Sequence, residues 1–223
     1  MRKVFAYMVI SLLMGALTSC GNKQNSNESE KYHINYSENS LIQKENKSVL
    51  IISGSPRKGG NTDLLCDAFA RGAEEAGGNI EKIFLSDYRI KFFSEADEQR
   101  VGDRANEAED DVPMLVDKMV RADIIVLASP VYYMNITGQL KTFIDRTFGR
   151  YREMKDKEFF YITACADPEE STAEWVINAF RGFVMCLPNP TERGMVKAVG
   201  MGRKGAVKDS QYESQAYNLG KNI

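Results

Sequence analysis

The chain has 223 residues, of which 43% are hydrophobic and 27% are charged, and its formal net charge at pH 7 is −2. This length supports one sizeable hydrophobic core and is short for two. The nearly balanced charge argues against binding of DNA or RNA, and the single histidine, His33, excludes a Ser-His-Asp triad, a Cys-His pair and a His-ligated zinc site from the rest of the chain.

Residues 1–19 have the pattern of a secretory signal. Two basic residues precede an apolar run over 4–17, which is too short for a comfortable membrane span. The tetrapeptide LTSC that ends at Cys20 resembles the lipobox of bacterial lipoproteins, in which the Cys thiol is lipidated and becomes the new N-terminus. We therefore expect lipidation at Cys20 and a lipid-anchored location in the bacterial cell envelope, outside the cytoplasm. The alternatives are an ordinary signal peptide or a buried first helix with an incidental Cys.

Residues 20–47 are rich in Asn, Ser, Glu and Lys. They contain too few apolar groups to offset the entropy of ordering, so the sequence predicts a flexible tether. Such a coil has an end-to-end distance of about 30 Å, which would hold a folded domain clear of the lipid surface. His33 lies in this segment, and we expect it to be a solvated linker residue.

The folded domain is predicted over 48–223, where short apolar runs alternate with amphipathic segments. The runs are rich in β-branched and aromatic residues and predict five strands: VLIIS, NIEKIFL, DIIVLAS, EFFYITA and MVKAVGM. Helices are predicted to begin near residues 61, 113, 137 and 169, with a last segment after 209. Strands that are apolar along their length are typical of a parallel sheet covered on both faces. The sequence therefore predicts an α/β fold with a five-stranded, doubly wound parallel sheet.

The segment GSPRKGGNT, residues 54–62, joins the first predicted strand to the first predicted helix. In a doubly wound sheet, ligands bind at the carboxyl ends of the strands where the chain order reverses. Glycines allow close backbone approach, Arg57 offers a forked cation, and Asn61 is predicted to cap the helix whose N-terminus attracts anions. The segment therefore favours a phosphate pocket, although it matches neither a P-loop nor a G-x-G-x-x-G fingerprint. A purely structural turn is the alternative.

The segment SPVYYMNITGQLKTFIDR, residues 129–146, follows the third predicted strand. Pro130 fixes the exit from the strand, and the YYM tripeptide that follows offers flat or polarizable groups suited to a planar aromatic ligand. Thr137 is predicted to cap the next helix. Four apolar residues at helical spacing are predicted to belong to the core rather than to the site: Leu140, Phe143, Ile144 and Phe148.

These two segments, their spacing and the order of elements resemble the NAD(P)H-dependent FMN reductase family of flavodoxin-like proteins, especially its iron-sulfur flavoprotein branch. The likeness covers about residues 48–223 and is weaker in the last third. It implies a flavodoxin-like fold, with the FMN phosphate on the first loop and the isoalloxazine ring on the second. The cofactor-binding residues that it implies are Ser53, Ser55, Pro56, Arg57, Asn61 and Thr62, followed by Pro130, Val131, Tyr132, Tyr133, Met134 and Asn135.

One departure from the iron-sulfur branch concerns the connection after the second strand. In that branch the connection carries closely spaced cysteines that ligate a cluster, whereas residues 86–111 of this chain contain no Cys. We therefore expect no iron-sulfur cluster and no other metal site. The segment is acidic and contains Phe92 and Phe93, for which we expect a lid or packing role.

Three cysteines remain besides the predicted lipidation site: Cys66, Cys165 and Cys186. An odd number leaves at least one thiol free unless it pairs between chains. Cys165 falls at the end of the fourth predicted strand, where the resemblance places a third loop near the flavin. A free Cys is nevertheless more often a small buried apolar residue.

The resemblance implies an FMN-binding oxidoreductase with NAD(P)H as the candidate donor and a quinone, a flavin or another small redox substrate as acceptor. FMN would carry the chemistry, so no catalytic side chain is predicted. The alternatives are an electron carrier without a nicotinamide site and a nonenzymatic binding lipoprotein that has lost flavin. A homodimer is one arrangement that the resemblance implies. Export would separate the domain from cytoplasmic NAD(P)H, which favours a membrane quinone or redox protein as its partner.

Overall fold

The computed structural model describes residues 46–95 and 110–223. The predicted signal, Cys20, His33 and nearly all of the predicted tether lie outside the described residues, as does the middle of the acidic segment. Among the helices that the structure does describe, none combines the length and the apolar character needed to cross a membrane.

The described residues form one five-stranded parallel sheet with helices packed against it. The strands are β1 (Ser48–Ser53), β2 (Asn79–Phe84), β3 (Ile124–Pro130), β4 (Glu158–Ala164) and β5 (Thr191–Ala198). The helices are α1 (Asn61–Glu75), α2 (Val112–Arg121), α3 (Gly138–Arg146), α4 (Glu170–Val184) and α5 (Gln211–Lys221). The strand order is β2-β1-β3-β4-β5, so the winding reverses between β1 and β3. The predicted flavodoxin-like fold is confirmed.

The predicted element bounds agree closely with the structure except at β5. The predicted run MVKAVGM begins at residue 195, whereas β5 begins at Thr191. The first three residues of this strand are exposed and polar, so their sequence carries no apolar signal. Helix α3 begins after Thr137, whose side chain accepts a hydrogen bond from the Leu140 N–H, and the predicted cap is confirmed.

The core consists of two layers, one on each face of the sheet. Leu50 and Ile52 of β1 pack in the layer shared with α2, α3 and α4. Their neighbours Val49 and Ile51 pack in the opposite layer, with α1 and α5. Because both faces of the central strands are covered, every side chain from Val49 to Ser53 is buried, which explains the continuous apolar runs in the sequence.

Phe148, which was predicted to lie in the core, is instead 45% exposed. Its ring packs edge-on against Phe93, with ring centroids 5.7 Å apart, and stacks with Tyr151. It also lines an apolar groove of about 680 Å³ between α3 and α4. Phe93 thus packs against Phe148 although it is itself 38% exposed, and Phe92 is 83% exposed.

The described ends of the acidic segment meet at Asp110, which also forms a buried ion pair with α3. The Asp110 carboxylate accepts hydrogen bonds from the Lys91 and Val112 N–H groups, both at 3.2 Å. It also pairs with Arg146 of α3 at 2.5 Å, and both side chains are buried. These contacts hold the described ends of the segment together and against α3.

Helices α1 and α5 cross at a pair of glycines. A Cβ atom added to Gly72 of α1 would lie 2.1 Å from the carbonyl oxygen of Tyr217. A Cβ atom added to Gly220 of α5 would lie 2.1 Å from the carbonyl oxygen of Phe69. The backbones of the two helices therefore touch, and no larger residue fits at either position without moving one helix.

We predict that Gly72→Ala lowers the free energy of unfolding by about 1–3 kcal/mol or more, because the added methyl group separates α1 from α5. The matched control is Gly182→Ala in α4, where an added Cβ has no neighbour within 4 Å. There the helix propensity of Ala should stabilise the protein by about 0.5–1 kcal/mol. Urea denaturation measures both changes, and equal effects in the two variants would contradict the proposed crossing.

Candidate functional site

A cavity of about 160 Å³ lies at the carboxyl edge of the sheet, where β1, β3 and β4 end. Segments that follow four strands contribute to its wall. Its lining residues are Ser55, Arg57, Gly60, Asn61, Thr62, Pro130, Val131, Tyr132, Ala164, Cys165, Ala166, Met201, Gly202 and Lys204. This volume is enough for a phosphate and part of an attached chain, and is below that of a pocket enclosing a drug-sized ligand.

The first wall is the loop between β1 and α1 together with the first turn of α1. The first N–H groups of a helix have no intrahelical acceptor, and Gly60, Asn61 and Thr62 place that helix end at the cavity. The Thr62 side chain is buried and lines the cavity. A helix N-terminus beside a hydroxyl and a guanidinium is suited to an anion.

Two of the residues predicted for this loop, Ser53 and Pro56, do not line the cavity, and a third, Asn61, lines it without the predicted capping role. Ser53 is fully buried and accepts a hydrogen bond from the Ser55 N–H at 3.4 Å, so it supports the loop without lining the cavity. Pro56 is exposed and does not line the cavity. The predicted role of Asn61 as N-cap is wrong, because the cap is Gly60.

The side chain of Asn61 binds a different segment. Its Nδ2 donates hydrogen bonds to the carbonyls of Met201 at 2.7 Å and Arg203 at 2.8 Å. Its Oδ1 accepts a hydrogen bond from the Val207 N–H at 3.4 Å. Asn61 thus lines the cavity while its amide fixes the segment that follows β5.

A buried carboxylate next to this loop, that of Asp63, is paired with a lysine. Asp63 accepts a hydrogen bond from the Gly59 N–H at 2.6 Å, and its other oxygen pairs with Lys82 at 2.7 Å. Lys82 also pairs with Asp67. Burial alone would lower the pKa of Lys82, but its hydrogen bonds to the two carboxylates outweigh burial and raise that pKa. The ammonium therefore stays charged and offsets the negative charge close to the anion site.

The second wall is the loop after β3, which is joined to the first loop by Thr137. The Thr137 hydroxyl donates to the carbonyl of Gly54 at 2.8 Å, and its N–H donates to the Ser129 hydroxyl at 3.0 Å. A Cβ atom at Gly54 would lie 2.7 Å from the Thr137 Oγ1 and 2.8 Å from the Leu140 Cβ. Only glycine therefore permits this approach of the two loops.

Residues predicted for the second loop fall into two groups. Pro130, Val131 and Tyr132 line the cavity. Tyr133 and Met134 do not, and both are exposed at the tip of a tight turn closed by two hydrogen bonds between Tyr132 and Asn135. Their φ angles of 50° and 60° are those of a type I′ turn, a conformation that favours Asn and Gly. Asn135 accepts a hydrogen bond from the Ile136 N–H and lines the neighbouring apolar groove.

The remaining wall comes from the ends of β4 and β5. Cys165 is buried, and its thiol donates a hydrogen bond to the Asp167 carbonyl at 3.3 Å. Burial raises the pKa of Cys165, so the group is a thiol at neutral pH. Met201, Gly202 and Lys204 were not predicted for the site. The glycine-rich run after the last strand, GMGRKG, is the signal that could have indicated them.

With this geometry in place, we compared the chain with known proteins. The family model described as NADPH-dependent FMN reductase matches residues 48–207. The chain belongs to this family. An iron-sulfur flavoprotein from Archaeoglobus fulgidus is 36% identical over 108 residues, which make up 48% of this chain and 49% of that protein. The chain spans about half of the length of the curated relatives that it matches.

Solved structures of other proteins share the fold of this family member. An NAD(P)H:quinone oxidoreductase from Methanothermobacter marburgensis has a TM-score of 0.62 at 20% identity, over 79% of this chain and 96% of that chain. An azoreductase from Bacillus anthracis has a TM-score of 0.65 at 15% identity, over 79% of this chain and 100% of that chain. At these identities the likeness concerns the fold alone.

We predict that Thr137→Val lowers the free energy of unfolding by about 1–2 kcal/mol, because it removes both the helix cap and the bond to the Gly54 carbonyl. Thr137→Ser is the matched control, since it keeps the hydroxyl and should lose much less. Urea denaturation of both variants measures the difference. Equal losses would show that the methyl packing of Thr137, rather than its hydroxyl, holds the loops together.

Proposed function

We propose that the protein is an FMN-dependent oxidoreductase that uses NAD(P)H or an equivalent donor and reduces a quinone, a flavin or another small acceptor. The observation that carries this proposal is the convergence of the α1 N-terminus, the Thr62 hydroxyl and Arg57 at one cavity bordered by Tyr132. Membership of the NADPH-dependent FMN reductase family supports the same cofactor.

The phosphate end of FMN fits the loop between β1 and α1. The phosphate would accept hydrogen bonds from the first N–H groups of α1 and from the hydroxyls of Ser55 and Thr62, which line the cavity. Arg57 lines the same cavity, is exposed, and has no ion pair or hydrogen bond through its side chain among the described residues. Its guanidinium is therefore available for a charge-assisted bond to a phosphate oxygen.

The ring end of FMN would lie against the second loop, with Pro130, Val131 and Tyr132 as its apolar and aromatic wall. When bound, FMN would supply hydride acceptance and electron transfer. No carboxylate or histidine lines the described cavity, and Cys165 is held as a neutral thiol. We therefore assign the protein groups to binding and orientation, and we assign none of them to proton transfer.

We further propose that FMN is the only redox group of this chain, unlike in the relatives named iron-sulfur flavoproteins. The segment over 86–111 has no Cys to ligate a cluster. Among the described residues, Cys66 and Cys165 are buried free thiols, and Cys186 is an exposed one. Cys66 lies inside the core layer between the sheet and α1.

The predicted affinity is higher for FMN than for riboflavin, because the proposed site binds the phosphate. Arg57→Ala should weaken FMN binding by about tenfold to a hundredfold, which corresponds to about 1.5–3 kcal/mol for one charge-assisted hydrogen bond. Lys58→Ala is the matched control, since Lys58 is paired with Asp87 at 2.6 Å and does not line the cavity. Quenching of flavin fluorescence gives the dissociation constants, and the visible spectrum should show flavin bands alone. Equal affinities for the two flavins would remove the basis of the proposed site.

We also propose that Cys20 is lipidated and that the domain works at the outer side of a membrane. The supporting observation is the LTSC tetrapeptide at the end of an apolar run of signal-peptide length. A tether over 20–47 would hold the domain within about 30 Å of the bilayer and raise the local concentration of membrane-bound redox partners. NAD(P)H is cytoplasmic, so a membrane quinone or redox protein is the proposed physiological partner.

This proposal predicts faster flavin reduction by a quinol in vesicles for the lipidated protein than for Cys20→Ser, which would lack the anchor. Reduction by soluble NADPH should be the same in both, because the anchor does not alter the cavity. Stopped-flow absorbance of the flavin measures both rates. If NADPH reduces the flavin with saturation and the vesicle-bound quinol gives no faster reduction, the proposed partner would be overturned. If only the quinol reduces the flavin, an electron carrier would be favoured over an NAD(P)H-dependent enzyme.

A further inference from the structure

The segment over 199–208, which follows β5, returns to the first wall of the cavity and carries a lysine there. Lys204 lines the cavity together with Ser55, Arg57 and Thr62. A Cβ atom built at Gly59 would lie 3.4 Å from the Lys204 Cε and 3.5 Å from its Nζ. The ammonium therefore sits directly over the loop that precedes α1, although 145 residues separate Gly59 from Lys204 in the sequence.

The backbone on both sides of Lys204 is fixed. Asn61 holds it through two hydrogen bonds from Nδ2, to the Met201 carbonyl at 2.7 Å and to the Arg203 carbonyl at 2.8 Å. Upstream, the Met201 N–H donates to the Cys165 carbonyl at 2.7 Å. Downstream, the Val207 N–H donates to the Asn61 Oδ1 at 3.4 Å. The position of Lys204 is thus set by the residue at the first turn of α1.

The cations around this loop differ in their pairing. Lys58 pairs with Asp87 and Lys82 pairs with Asp63, so both are neutralised by carboxylates. In the part of the chain that the structure describes, neither Arg57 nor Lys204 has a carboxylate partner. Two unpaired cations therefore face the same cavity as the N-terminus of α1.

We propose that Lys204 is a phosphate-binding residue of this site and that Asn61 is the positioning residue that places it. The inference rests on the proposed binding of FMN. A phosphomonoester carries a charge of about −1.5 to −2 at pH 7, which is more than one guanidinium neutralises. Arg57 from the loop before α1 and Lys204 from the segment after β5 together match that charge, with the helix end between them.

This assignment gives Lys204 a role in selecting flavins that carry a phosphate. Its ammonium has no group to bind on riboflavin, so its removal should affect FMN alone. The segment after β5 would also become part of the cofactor site, although its sequence matches no phosphate-binding motif.

The test is the affinity of the full-length chain in detergent for FMN and for riboflavin, measured by quenching of flavin fluorescence. Lys204→Ala should weaken FMN by about tenfold and leave riboflavin unchanged, while Lys204→Arg should retain most of the FMN affinity. Lys208→Ala is the matched control, because it removes an exposed lysine from the same segment that does not line the cavity. It should bind FMN like the unmodified chain.

Three results would overturn the assignment to Lys204. They are an unchanged FMN dissociation constant in Lys204→Ala, an equal loss for both flavins, and an equal loss in Lys208→Ala. If Lys204→Ala raises the KM for NADPH while the FMN dissociation constant is unchanged, the first of these results applies. The ammonium would then bind the electron donor instead of the FMN phosphate. A chain that binds neither flavin before substitution would remove the proposed function itself, whereas the three results above remove this inference alone.

The positioning role of Asn61 is tested by a double-mutant cycle. If Asn61 acts by placing Lys204, the FMN affinities of Asn61→Ala, Lys204→Ala and the double variant should be similar, because the second substitution removes nothing further. Losses that multiply would show that Asn61 acts on the phosphate site independently of Lys204. Riboflavin affinity in the same three variants controls for a general disturbance of α1, and a parallel loss there would also contradict the positioning role.

Discussion

The contact between Gly54 and Thr137 fixes the distance between the two loops on which the candidate site depends. The Thr137 hydroxyl is 2.8 Å from the Gly54 carbonyl oxygen, and a methyl group at Gly54 would overlap it. The same residue caps α3 and binds Ser129 at the end of β3. One threonine thus joins the end of β1, the end of β3 and the start of α3. Loops anchored in this way can bind the two ends of one ligand without first paying the entropy of being brought together.

The electrostatics of the site are local and do not follow from the overall composition. The chain carries a formal net charge of −2, yet the described cavity is lined by two cations and by no carboxylate. Asp63 lies one residue beyond the lining residue Thr62, and its charge is offset by Lys82. The Lys82 and Lys58 ammonium groups also lie 5.0 and 5.2 Å from the ring centroid of Phe84, so each makes a cation–π contact with that ring. The two cations that line the cavity therefore attract an anion to this edge of the sheet.

The sequence was sufficient for the fold because the three central strands repeat their apolar signal at nearly every position. The run over 49–53 is buried on both faces, and its apolar character alone indicates a covered parallel strand. The first turn of α1 was harder to predict, because an Asn before a helix is equally suited to capping and to a distant contact. Asn61 makes the distant contact, with residues about 140 positions away. Lys204 was missed for the same reason, since only the folded chain brings it over Gly59.

The second loop shows a different limit of sequence reasoning. Tyr132, Tyr133 and Met134 are adjacent and all exposed, yet only Tyr132 lines the described cavity. The difference arises from the positive φ angles of Tyr133 and Met134, which turn the chain back on itself. Neither residue type favours that conformation, so the surrounding structure must impose it. Likewise, helical spacing placed Phe148 in the core, although the helix ends at Arg146 before the periodicity reaches it.

The crossing of α1 and α5 has a consequence for how the chain folds. Gly72 and Gly220 each face the backbone of the opposite helix, and Arg71 and Tyr217 each make a side-chain hydrogen bond to a residue 142 positions away in the sequence. One side of α1 is therefore covered only when α5 has packed against it, and contacts between segments so far apart in sequence form slowly.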